Sequence, residues 1–127
     1  MLDHSHEQIV VDAFWDQVEL TARIPAQMTD FFQREGPLPA RMKCRRAYPR
    51  FYMRGIAILR LDDRCLGVYT VDASRSGIRF FSPIQLLPKF RVHLRLPKVK
   101  EFQVEVVRCC RLDERCYDCG AVFVQGI

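Results

Sequence analysis

Phe90-Arg91-Val92-His93-Leu94-Arg95-Leu96 reads as a strand with one face in an apolar interior and the other in water. Apolar side chains take every second position, and Arg91, His93 and Arg95 fill the places between, which is the period of two that an extended chain imposes. The next run repeats the pattern, with Phe102, Val104 and Val106 alternating with Gln103 and Glu105. Working outward, Phe51 to Leu61 is a strand rich in Ile, Phe and Tyr. Leu61-Asp62-Asp63-Arg64 supplies a turn, and Cys65 to Val71 returns. Ile78 to Ser82 is a third strand, after which Pro83 and Pro88 bracket a loop. Downstream, Leu112-Asp113-Glu114-Arg115 turns the chain into a last strand, Tyr117 to Val124. Six short strands with polar turns and no intervening helix predict a mainly β domain closed as an antiparallel barrel.

The N-terminal part reads differently. Ser5 with Gln8 forms a capping-box pattern, and Ile9, Val10, Ala13, Phe14 and Val18 share one helical face, so a helix is expected from residue 5 to about 22. Ile24-Pro25 interrupts it. Met28, Phe31 and Phe32 line a second short helix ended by Gly36 and Pro37. Phe14, Trp15, Phe31 and Phe32 carry too much apolar surface to be left in water. Packing on the barrel is one destination, and a homodimer through the helices is the other. Pro37, Pro39 and Pro49 with the basic run between them make residues 37–49 an extended linker. The expected organisation is a helical segment over 1–36, a basic linker over 37–49 and the barrel over 50–127.

Arg45-Arg46-Ala47-Tyr48-Pro49-Arg50 sets three guanidinium groups just ahead of the first strand, where Pro49 forbids a helix. Guanidinium groups splayed from an extended arm suit a planar anionic ligand, because each can fork onto a phosphate or stack on a purine. Asp72-Ala73-Ser74-Arg75-Ser76-Gly77 is turn chemistry between two strands. Asp72 and Ser74 can bond nearby backbone, a base edge or a phosphate, and Gly77 permits either positive φ or a close backbone approach. In order and spacing the two stretches resemble the PilZ family, whose signature is R-x-x-x-R followed by [D/N]-x-S-x-x-G. Arg46 and Arg50 match the first motif with Arg45 ahead of it, while Asp72, Ser74 and Gly77 match the second. A Gly-x-x-Phe formed by Gly120 and Phe123 extends the resemblance over about Lys43 to Val124, with a motif arm at 43–50.

The resemblance implies a six-stranded PilZ-like β-barrel and a bacterial receptor for the second messenger cyclic di-GMP. Arg46 and Arg50 would contact guanines and phosphates, and Asp72, Ser74 and Gly77 would close around one guanine. Arg45 is the feature linked to an intercalated pair of ligand molecules. Binding would change conformation and signal to a protein partner. The alternative is a PilZ-like protein–protein interaction module that binds no nucleotide. Many family members add a helix after the last strand; with Ile127 the last residue, none is expected here.

The bulk numbers fit these readings without selecting among them. The chain has 127 residues, 49% hydrophobic and 28% charged, enough for one core, and a net charge of +5 attracts anions of any kind. No apolar run approaches the length of a membrane span, and the N-terminus lacks a signal-peptide layout, so a cytoplasmic protein is expected. A nucleic-acid binder stacking bases on Tyr48, Phe51 and Tyr52 is the weaker use of the positive charge, those aromatics fitting a core or barrel rim better. No enzyme motif is present: His4, His6 and His93 form no ligand set, and Ser74 has no base partner. No catalytic residue, cofactor or metal is expected. Six cysteines without a secretory signal do not suggest a disulfide framework. Cys109-Cys110 and Cys116-x-x-Cys119 raise zinc, but Cys109 and Cys110 must face opposite sides of a strand, which favours free thiols.

Overall fold

The computed structural model describes residues 18–38, 49–97 and 101–124. Among them are seven strands: β1 (Leu20–Thr21), β2 (Phe51–Leu61), β3 (Arg64–Ala73), β4 (Gly77–Ser82), β5 (Arg91–Arg95), β6 (Phe102–Asp113) and β7 (Cys116–Phe123). Strands β2 to β7 run in the spatial order β3-β2-β5-β6-β7-β4, and β4 pairs back to β3, so the sheet closes on itself with every neighbour antiparallel. Closure gives β3 and β4, the ends of that order, each other as partners along part of their length. This is the expected six-stranded barrel, and its strands start and stop close to the turns read from the sequence.

Alternation fills the interior. Ala57 and Leu59 of β2, Leu66 and Val68 of β3, Ile78 and Phe80 of β4, Val92 and Leu94 of β5, Val104 and Val106 of β6, and Cys119 and Ala121 of β7 form one buried cluster. Each pair lies two residues apart, so each strand contributes one face. A second, smaller cluster lies on the outside of β3, β4 and β7, where Val71, Phe81 and Cys116 pack with Ala22 and Phe31.

The N-terminal helical segment is not found among the described residues, where β1 and one 3₁₀ turn, Phe31–Gln33, stand in its place. Its reading over residues 5–17 lies outside the described residues. The sheet supplies the reason for β1. β4 pairs only with the Tyr69–Ala73 half of β3, leaving backbone groups near Cys65 and Gly67 open. Leu20 and Thr21 run parallel to Leu66 and Gly67, and the amides of Glu19 and Ala22 donate to the carbonyls of Cys65 and Gly67. Buried backbone groups must be paired, and that requirement outweighs the helical pattern here. Phe31 then docks on the barrel, its ring centroid 5.5 Å from Phe81 and 6.0 Å from Tyr69, while Phe32 stays 53% exposed. The apolar surface of Phe31 therefore goes to the barrel, and no helix among the described residues offers a dimer interface.

After the 3₁₀ turn Gly36 takes φ +83°, a conformation costly for any side chain, and turns the chain onto β2. Tyr52 donates its amide to the Gly36 carbonyl (2.8 Å), Leu38 donates to the Arg50 carbonyl (2.9 Å), and Pro37 bridges Phe51. The chain on either side of residues 39–48 is thus tied to itself at the start of β2. No helix of the described residues is long and apolar enough to cross a membrane.

Candidate functional site

Arg50 and Asp72 are the ends of the two motifs that can be located, and they meet. Arg50 Nε donates to Asp72 Oδ1 at 2.5 Å, with the Arg50 side chain 16% and the Asp72 side chain 2% exposed. The sheet makes the contact: Arg50 lies just before β2, whose Tyr52 is the register partner of Asp72 at the end of β3. A carboxylate this deep is stable only when paired and hydrogen-bonded. Its other oxygen, Oδ2, accepts from Arg79 Nη1 at 3.4 Å. Arg79 is the cross-strand partner of Asp72 and is itself forked onto Asp118 of β7, Nε to Oδ1 and Nη2 to Oδ2, both 2.8 Å. Those hydrogen bonds to Asp118 hold the Arg79 guanidinium above its ordinary pKa.

Arg54, two turns of the pleat beyond Arg50, closes the other side. Its guanidinium carbon stands 4.4 Å from the Phe31 ring centroid and 4.9 Å from that of Tyr52. Nε donates to the Val71 carbonyl and Nη1 to that of Phe31. Burial lowers the Arg54 pKa, yet the group stays charged at any ordinary pH. Three guanidinium groups against two carboxylates leave a positive surplus on this outer face, which favours an anionic ligand.

The second motif is a tight turn. The Ser74 amide donates to the Gly77 carbonyl (2.9 Å), and Ser74 Oγ accepts from the Ser76 amide (3.2 Å) and lies 3.1 Å from Ser76 Oγ. Gly77 answers the question left open by the sequence. It lacks positive φ, and a Cβ there would stand 2.4 Å from the Ala121 carbonyl oxygen, so the glycine serves close approach of β4 to β7. Gly120 makes room for Arg108, whose side chain would lie 3.0 Å from an added Cβ.

Arg50, Asp72, Ser74 and Gly77 therefore share one end of the outer β2–β3–β4 surface, whereas Arg45 and Arg46 lie outside the described residues. Sequence reasoning missed Arg54, Arg79 and Asp118, and it put Phe31 on a helix without linking it to the site. The alternation of Ile78, Arg79 and Phe80 could have pointed to Arg79 as outward-facing, but Asp118 joins it only through the β4–β7 pairing.

The described cysteines of the last two strands do not all meet at one place. Cys116 belongs to the outer cluster and Cys119 to the interior, as an odd separation along a strand requires. Cys109 faces Cys119 with the sulfurs 3.3 Å apart, Cys110 is exposed, and the described residues hold no group of three or more ligands suited to a metal.

No curated protein matches the chain. The family model of the PilZ domain does, over residues 45–127, a span that contains both motifs and all six strands of the closed barrel. With the barrel formed and the ends of the two motifs joined by an ion pair, the chain belongs to the PilZ domain family.

Proposed function

We propose that this chain is a receptor for cyclic di-GMP that works in the bacterial cytoplasm and passes the signal to a protein partner without making or breaking a bond. PilZ domains are in general binding domains for that dinucleotide. The observation that carries the proposal for this chain is the Arg50–Asp72 pair, which joins the arginine motif to the turn motif at a positively charged surface. In this reading Arg46 and Arg50 fork onto phosphate or the acceptor edge of guanine, while Arg45 sets whether one or two ligand molecules are held. The carboxylate of Asp72 accepts from the N1–H and exocyclic amine of guanine. Ser74 contributes its hydroxyl, and Gly77 keeps the turn flat enough for a base to approach. The ligand would draw on Arg50 from the Asp72 side and alter the surface around β2, which is what a partner would read.

The test is calorimetric titration with cyclic di-GMP, with GTP as control, at two salt concentrations. Saturable binding without a GTP response is expected, and the stoichiometry reports on Arg45. Arg50→Ala should weaken binding by about 2–5 kcal/mol, the cost of truncating one partner of a buried charged pair. Absence of heat on folded protein overturns the receptor reading and leaves the protein–protein interaction module.

A further inference from the structure

Four of the charged groups on the outer face form a chain, Arg50–Asp72–Arg79–Asp118, whose two ends are held differently. Among the described residues the Arg50 side chain makes one hydrogen bond, through Nε, whereas Arg79 is gripped by both oxygens of Asp118 at 2.8 Å and contacts Asp72 through its remaining Nη1. The Asp118 side chain is 15% and that of Arg79 30% exposed. A ligand that recruits Arg50 therefore faces an obstacle, since moving Arg50 would strip a nearly fully buried carboxylate of its closest cation. An unpaired charge at that depth is unstable. Arg79 removes the obstacle because its grip on Asp118 does not depend on Arg50.

Resting on the receptor reading, we propose that Arg79, anchored by Asp118, is a positioning residue of the ligand site. It keeps Asp72 paired and aimed when Arg50 turns to the ligand. Neither residue belongs to the two motifs. The geometry makes Arg50 the exchangeable partner of Asp72 and Arg79 the resident one. A guanidinium is required at position 79 because two parallel N–H groups must serve Asp118 while a third reaches Asp72. A lysine ammonium, a point charge on a flexible stem, cannot hold both at fixed angles.

The experiment compares wild type with Arg79→Ala, Arg79→Lys and Asp118→Asn in titrations with cyclic di-GMP and with cyclic di-IMP, which lacks the exocyclic amines. Circular dichroism confirms that each variant is folded, and Asp118→Asn and Arg79→Lys preserve shape should Arg79→Ala fail. Wild type should prefer cyclic di-GMP. The variants should lose about 10–100-fold in its affinity, the range of one to two charged hydrogen bonds, and most of the preference over cyclic di-IMP, with Arg79→Lys intermediate. A purely structural effect would weaken both dinucleotides alike, and that result overturns the positioning role. Wild-type affinity and selectivity in folded Asp118→Asn and Arg79→Ala overturn it too, with the receptor reading intact. Wild type that binds neither dinucleotide overturns the receptor reading itself and the positioning role with it.

Discussion

Adding a single methyl group at Gly77 tests the fold and the site together. β4 and β7 pair from Gly77↔Val122 to Ser82↔Tyr117, and at the first of these steps the two backbones are so close that a Cβ would stand 2.4 Å from the Ala121 carbonyl oxygen. The obstacle is backbone in a closed sheet, with no flexible side-chain end to swing aside. In Gly77→Ala the strands must part by several tenths of an ångström or a ladder hydrogen bond must stretch. Overpacking of this kind costs about 1–3 kcal/mol, and a disturbed hydrogen bond adds about 1. For 127 residues the unfolding entropy makes 1 kcal/mol worth about 4 °C of melting temperature, so a fall of about 8–15 °C is expected. Gly120→Ala is the control, because its Cβ would meet the movable Arg108 side chain at 3.0–3.3 Å and should cost under half as much. Thermal unfolding followed by circular dichroism measures both. A melting temperature for Gly77→Ala within 2 °C of wild type, or equal losses for the two variants, would refute the close-approach argument.

Three further outcomes are expected. Phe31→Ala removes a ring buried between Phe81, Tyr69 and the Arg54 guanidinium and should destabilise by about 3–5 kcal/mol, measured by urea unfolding; a loss under 1 kcal/mol would mean the N-terminal strap is not part of the cooperative unit. Alkylation with iodoacetamide at pH 8, mapped by mass spectrometry, should label exposed Cys110 well before Cys116 and Cys119, whose thiols burial pushes upward, that of Cys116 to about 11. Equal rates for the three would contradict the assigned faces of β6 and β7. The same burial sets a pH dependence: the fold holds the Cys116 proton more tightly than the unfolded chain, so this contribution is intact below about pH 9 and is lost as pH rises toward about 11. Melting temperature should fall across that window more steeply in wild type than in Cys116→Ala, and parallel curves would show the thiol plays no part.

The barrel was legible because its signal is local and repeated. Val92 and Leu94, or Val104 and Val106, announce a face by spacing alone, and Asp62-Asp63 and Glu114-Arg115 mark turns without reference to any distant residue. The described part of the N-terminal segment, residues 18–36, departs from its helical reading for the opposite reason. Two residues at Leu20–Thr21 become a strand only because β4 leaves part of the β3 edge uncovered, a fact held in the pairing of residues some fifty to sixty positions away. Phe31 kept its apolar destination but in a single 3₁₀ turn, since one ring in a cleft between Tyr69 and Phe81 needs no helix to deliver it.

The aim of Asp72 shows where counting along a strand fails. Leu66 and Val68 point into the barrel, and strict alternation would send Thr70 and then Asp72 the same way, burying a carboxylate among Phe80 and Leu94 with no cation in reach. The register with β4 instead slips between Thr70 and Asp72, so that Val71 is the extra residue opposite the Phe80–Arg79 step. The bulge reverses the side-chain order: Val71 joins the outer cluster, Asp72 falls on the same outer face, and Ala73 returns to the interior. Only after that reversal can one carboxylate face Arg50 from the first motif and Arg79 from the next strand. The motif therefore depends on an irregularity that its own letters do not spell. Asp72 occupies the place in this sheet where a carboxylate is both buried and within reach of cations from two directions, Arg50 ahead of β2 and Arg79 of β4.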